Sequence, residues 1–354
     1  MFVALRDLRF ARGRFVLIGS VVALITILVG FLSGLTGGLA TQNISAILQL
    51  PGDRIVFSSP GGEAASYSDS TVTEKQQATW AATAGVTSAQ PIGITQTRAE
   101  AGGTRTAVAV FGVQPGFTST APTQRGHVSL AAPAAQALGV KAGDSVTIGA
   151  TRYVVDRVAG DAWYSHTPVV EMTLADWQAY AAATGSADSY ATVLAVSGTP
   201  DWSAADTATA TVSTSVLGSL TALSAFRSEI GSLLLMVAML FGISGLVIGA
   251  FFTVWTMQRK GDIAVLKALG ASTRSLRTDA LGQALVVLVA GIGVGLAVVT
   301  ALGLLAGSAL PFLLSPVTTL LPGVIMIALG LAGAAFALRS VNSADPLTAL
   351  GSTR

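Results

Sequence analysis

The chain has 354 residues, 51% of them hydrophobic and only 11% charged, with a formal net charge of +2 and no cysteine. Without Cys there is no disulfide framework, thiolate nucleophile, zinc-thiolate cluster or thiolate-ligated haem. The small basic excess does not indicate nucleic acid, because the cations are divided among short flanks of apolar runs instead of gathered on one groove-sized surface.

Residues 2 to 14, FVALRDLRFARGR, place Phe2, Leu5 and Leu8 on one face among arginines, so 1–14 is expected to be an amphipathic helix in the headgroup layer. Phe15 to Gly52 is free of charge and contains a first span, 15–40, longer than the ~7–15 residue core of a cleavable signal. From 41 to 227 the composition turns to Thr, Ser, Asp and Pro with short alternating apolar stretches, as in an α+β domain. Within it DRIVFSS, TAVAVFGV, DSVTIG, RYVVDRVAG and ATVLAVSG read as strands, with a tight turn at Gly149-Ala150-Thr151 joining the third and fourth. Thr73 to Ala84, Ala131 to Leu138 and Leu174 to Ala183 read as helices, and Ser203 with Asp206 as the capped start of a long helix feeding a second span, 228–258.

After a loop at 259–279, residues 280 to 338 are 59 positions without Asp, Glu, Lys or Arg. One straight helix of that length would run ~88 Å, against roughly 30 Å of hydrocarbon, so the segment must cross twice. Spans at 280–308 and 318–338 with a loop at 309–317 follow, the bend being placed by Pro311, Pro316 and Pro322, and 339–354 is a tail. The expected fold is an α-helical membrane protein with four transmembrane helices plus an α+β extracellular domain inserted between helices 1 and 2. The flanks that fall on one side, 1–14, 259–279 and 339–354, hold eleven cations against four acids, and the other side nine against fourteen. The positive-inside rule makes the first side cytoplasmic, termini included, in the cell membrane with lipid as a partner.

No GxxxxGK[ST] loop is present, and no spacing of His, carboxylate or hydroxyl residues suggests a triad or acid/base pair, so catalysis is not expected. In RKGDIAVLKALGASTRSLRTDALGQAL, Ile263, Leu266 and Leu269 recur at helical spacing, Gly270 supplies a stop and Ser272 a second start. That pattern suits a helix docked in a partner's groove better than a cationic lid on anionic lipid. GxxxG pairs at 30/34, 34/38, 245/249, 291/295 and 303/307 permit close helix approach, with dimer contacts as one use. Glu229 stands one residue before the second apolar run with Arg227 nearby. A solvated flank is one reading; the other is a polar cavity floor made by two copies, Glu229 ligating iron or another cation and Arg227 pairing with ligand carboxylates. DAWYSHTP, 161–168, clusters Trp163, Tyr164 and His166, for which core packing is the default.

At RKGDIAVLKALGAS the chain resembles the FtsX/MacB family of ABC transporter permeases, and the closing DPLTAL, 345–350, is similar to the family's C-terminal motif. Gln283 and Gly351 depart from residues usual in the family. The resemblance implies a non-catalytic permease homodimer with two copies of a separate ATPase subunit that binds ATP and Mg, contacted through Asp262, Ile263, Leu266, Lys267 and Leu269. DAWYSHTP and the compact domain resemble haem-exporting members, which makes haem the implied substrate, no cofactor being permanently held. Export of a peptide, antibiotic or lipid is the alternative within transport, and mechanotransmission to a cell-wall hydrolase the alternative outside it.

Overall fold

A computed structural model describes residues 12–258, 261, 265–266, 269–306 and 310–338. The expected interfacial helix, apart from its last three residues, and the 339–354 tail lie outside the described residues. Helix α1 (Arg12–Leu48) runs on past the apolar stretch until Pro51 and Gly52 end it. Then come β1 (Arg54–Ser58), α2 (Glu74–Ala82), β2 (Val86–Ala101), β3 (Thr104–Val113), β4 (His127–Leu130), α3 (Ala132–Leu138), β5 (Ser145–Ile148) and β6 (Thr151–Val158). The domain is completed by β7 (Trp163–Tyr164), β8 (Thr167–Thr173), α4 (Leu174–Ala183), β9 (Val193–Gly198), α5 (Trp202–Thr209), β10 (Thr211–Ser215) and the short α6 (Val216–Ser219). Three long helices follow, α7 (Ser224–Gln258), α8 (Thr273–Ala306) and α9 (Pro316–Ala337).

Helices α1, α7, α8 and α9 are each long and apolar enough to cross a membrane, and the α/β domain lies between the first and second. Contacts divide the chain into two units, one running to Gly38 and resuming at Ser232, the other holding Leu39–Gly231. In the membrane unit, Val22 and Val29 of α1 share a core with Ile248 and Phe252 of α7, Leu288 and Ile292 of α8, and Met326 of α9. The glycine pairs make this contact close. A methyl group on Gly291 would lie 2.8 Å from the Gly19 carbonyl oxygen, one on Gly295 would lie 2.9 Å from that of Ala23, and one on Gly333 would lie 2.8 Å from Gly249 Cα. Four of the five sequence pairs, and Gly303 of the fifth, have neighbours within the same chain, so helix packing inside one protomer accounts for their spacing, while Gly307 lies outside the described residues.

The turn between α8 and α9 folds back onto α1. Phe312 occupies the space left open by Gly34 and Gly303, and Leu313 donates its N–H to the Gly34 carbonyl at 3.0 Å. Ser315 caps α9 with Pro316 in its first turn, whereas Pro322 lies inside the helix and not at the bend.

In the other unit β2 joins two sheets. Its first half pairs with β9, which continues to β1 and β10, and its second half pairs with β3. From there the ladder runs β3–β8–β4–β6–β5 and returns to β2, closing a ring whose β3–β8 and β4–β6 contacts are parallel. Alternate residues serve different layers: Ile55 and Phe57 join a core with Ala46 and Ile47 of α1, while Val56 packs with Trp80 of α2 and Ala205 of α5. The ring has its own core, including Val110, Leu130, Ile148 and Met172, to which α3 and α4 add Leu138 and Trp177. The long helix expected from Ser203 is absent. Asp201 caps the short α5 by accepting the Ala204 N–H at 3.1 Å, and Ala210 breaks it in left-handed conformation (φ 51°). The β-branched run that follows forms β10 instead, held by Asp206, which accepts from Thr211 Oγ1 at 2.8 Å and from the Ser213 N–H at 3.0 Å.

Gly93 and Gly112 face each other across β2 and β3 directly beneath Trp177, whose indole donates to Thr95 Oγ1 at 3.0 Å. Any side chain at either glycine overlaps the indole. Gly112→Ala is therefore expected to lower the unfolding free energy of the purified protein by about 1–3 kcal/mol in denaturant titration, and an unchanged midpoint would refute this packing.

Candidate functional site

Strands β7 and β8 form a hairpin in which Trp163 faces Pro168 and Tyr164 faces Thr167, leaving Ser165 and His166 as a two-residue loop. Both loop residues have positive φ, 47° and 64°. That is the backbone of a type I′ turn, which favours Asn and Gly; for residues with larger side chains it costs roughly 1–2 kcal/mol apiece. The strain is retained because the loop is pinned to α1. Ser165 donates its N–H to the Asn43 carbonyl at 2.9 Å, His166 donates to that of Gln42 at 3.0 Å, and the Trp163 N–H reaches Ser45 Oγ at 2.9 Å. Tyr164 beside the loop is buried in edge contact with Phe111 and Tyr67, as expected of a core aromatic, and Trp163 is half-buried.

This docking carries the His166 ring to the first turns of α7. His166 Nε2 lies 2.7 Å from Glu229 Oε2, and Asn43 Nδ2 donates to the same oxygen at 3.1 Å. Asn43 Nδ2 is also 3.3 Å from His166 Nε2. The shorter contact assigns the His166 proton to Nε2, where it donates to the carboxylate. Asn43 is fully buried, and its Oδ1 has no hydrogen-bond partner. A backbone held in left-handed conformation and an unanswered buried acceptor both concentrate where a protein binds something.

The structure thus unites Glu229 with His166 and with Asn43, which sequence reading passed over. Asn43 sits in an otherwise unremarkable stretch, TQNISA, and only a helix that continues beyond the apolar run brings it to the hairpin. Arg227 is not brought to this cluster. It is exposed and lies about 200° around the helix from Glu229, at 100° per residue. Among the described residues no group of three or more His, Asp or Glu is arranged to hold a metal ion.

Of the loop residues assigned to ATPase coupling, Asp262, Ile263 and Lys267 lie outside the described residues. Leu266 and Leu269 are exposed. Gly270 has φ 93°, and the Ala271 N–H returns to the Leu266 carbonyl at 3.0 Å, a glycine-terminated helix end. Ser272 then accepts the Ser275 N–H at 3.2 Å and opens α8.

Residues 234–346 match the FtsX-like permease C-terminal family. A protein of Staphylococcus haemolyticus named as a hemin transport system permease, HrtB, is 33% identical over 129 residues, 36% of this chain and 37% of that one. A protein of the same name from Staphylococcus epidermidis is 25% identical over 364 residues, 99% of each chain. The periplasmic region of MacB from Actinobacillus actinomycetemcomitans superposes with a TM-score of 0.37 at 9% identity, over 48% of this chain and 91% of that one. The chain is a multi-pass membrane protein that carries an FtsX-like permease domain over residues 234–346.

The His166–Glu229 contact is expected to be energetically real. In a double-mutant cycle of His166→Ala and Glu229→Gln, followed by chemical denaturation, the two losses should be non-additive by about 0.5–1.5 kcal/mol. Strict additivity would mean the pair contributes no stability.

Proposed function

We propose that this chain is the permease subunit of an efflux transporter that moves haem from the membrane to the outside, driven by ATP hydrolysed on a separate subunit. The observation that carries the reading is the convergence of Glu229, His166 and Asn43 at the start of α7. Its support is the full-length similarity to the hemin permease of Staphylococcus epidermidis. A carboxylate and an imidazole at the edge of an apolar span are both groups able to ligate haem iron, while the apolar residues that follow suit the macrocycle. In this reading the charge distribution puts both termini in the cytoplasm, and two copies bring their Glu229 residues to one cavity. Glu229 leaves its His166 partner to meet iron, and His166 keeps the carboxylate in place while no ligand is bound.

The coupling end follows from the same logic. Leu266 and Leu269 project apolar side chains from a helix ended by Gly270, and an ATPase groove that buries them links its closure to α7 and α8.

Two experiments decide these points. Haem titration of the purified permease–ATPase complex, read at the Soret band, should show saturable binding that Glu229→Ala weakens about tenfold or more. Binding retained in that variant removes the ligand assignment, and absence of saturable binding in the intact complex removes haem. Separately, Leu266→Asp should abolish transport and reduce co-purification of the ATPase, since a charge on the docking face must be desolvated. Normal assembly and transport in that variant would exclude the docking role.

A further inference from the structure

Strand β8 sends Val170 and Met172 into the ring core, so Val169 and Glu171 face the other way. That second face floors a cavity of about 480 Å³ within the α/β domain, a size suited to a small organic ligand. Leu50, Phe111 and Phe117 give it apolar walls, and Thr118, Ser129 and Glu171 its polar end. Ser129 is directly opposite Glu171 in the β4–β8 ladder, is 4% exposed, and its Oγ has no hydrogen-bond partner.

The carboxylate is sparsely compensated. Thr118 Oγ1 lies 3.0 and 3.1 Å from its two oxygens but has one proton to give. Burial holds the Glu171 carboxyl above its ordinary range, opposed by the Thr120 and Thr118 hydroxyls and by Arg157. The Arg157 guanidinium is itself engaged, donating from Nη1 to the Ser119 carbonyl at 2.7 Å. A half-buried carboxylate beside a buried, unanswered hydroxyl, with a single guanidinium nearby that also donates to a carbonyl, leaves room for a further positive charge and donors, and an ammonium group supplies both.

We propose that this cavity binds a small organic cation, an amine on an apolar body, with its ammonium group against Glu171 and Ser129 and its apolar part against Phe111 and Phe117. Haem does not suit it, because two propionates would meet the carboxylate. The site is therefore separate from the Glu229 cluster and serves a different ligand class.

The test uses the full-length protein in lipid nanodiscs, with 4-phenylbutylamine as the probe and 4-phenyl-1-butanol as its uncharged counterpart, both followed by equilibrium dialysis at neutral pH. Saturable amine binding is expected, about tenfold or more tighter than that of the alcohol, and Glu171→Gln should remove that preference while leaving haem binding intact. Conversely, Glu229→Ala should not change amine binding, so failure of either site is seen independently of the other. Equal binding of amine and alcohol by the unaltered protein overturns the proposal without recourse to any variant. Undiminished amine binding in Glu171→Gln, or no saturable binding at all, overturns it as well.

Discussion

Hydrocarbon offers no partner to a backbone N–H or carbonyl, so each crossing of this chain has to be a helix that satisfies itself. Lipid tails are as apolar as leucine, and the helices gain little by hiding their side chains from one another. Close approach supplies the cohesion instead. Gly291 and Gly295 lie against the carbonyls of α1, Gly249 and Gly333 bring α7 and α9 into backbone contact, and Gly34 and Gly303 receive Phe312. The last of these explains how a non-helical turn is accommodated beside α1: its Leu313 N–H is satisfied by the Gly34 carbonyl, and its largest side chain fills the space that two missing Cβ atoms leave.

The α/β domain solves a different problem, in water, with a double use of one strand. Because β2 is long enough to pair with β9 in its first half and β3 in its second, a ring and an open sheet share a continuous backbone, and each face of β1 and β9 finds a separate core. Helix α1 contributes Ala46 and Ile47 to one of those cores. The helix that began as a membrane span thus ends as a structural member of the domain. That extension also places Asn43 where the hairpin tip and the start of α7 can reach it.

Much of this was legible in the sequence where the signal was local. Charge-free runs gave the four membrane helices, and alternation gave β1, β3, β5, β6 and β9. Gly270 and Ser272 marked a stop and a start by the backbone chemistry of their own residues. Strand β2 was missed because its VTSAQPIGITQTRAEA sequence contains a proline, a glycine and many polar residues; its pairing with three neighbours, and not its propensity, makes it a strand. The same distinction applies to the site. Glu229 was conspicuous as an acid at the edge of an apolar run, whereas its partners lie 63 and 186 positions away in sequence and are joined to it only by folding. Arg227, two positions away in sequence, is separated from it by helical geometry.

In the roles proposed for them, the two glutamates are given different work by their surroundings. Glu229 is partly exposed and receives hydrogen bonds from His166 and Asn43, so its charge is supported by groups that can rearrange when a ligand competes for it. Glu171 is half-buried on a sheet face, with threonine hydroxyls as donors and a guanidinium nearby that also donates to the Ser119 carbonyl, so its charge is offset only in part until a further cation arrives. A carboxylate already supported is suited to exchanging one partner for a metal centre. A carboxylate left short of compensation is suited to selecting for positive charge, because a neutral ligand of the same shape leaves the desolvation cost unanswered.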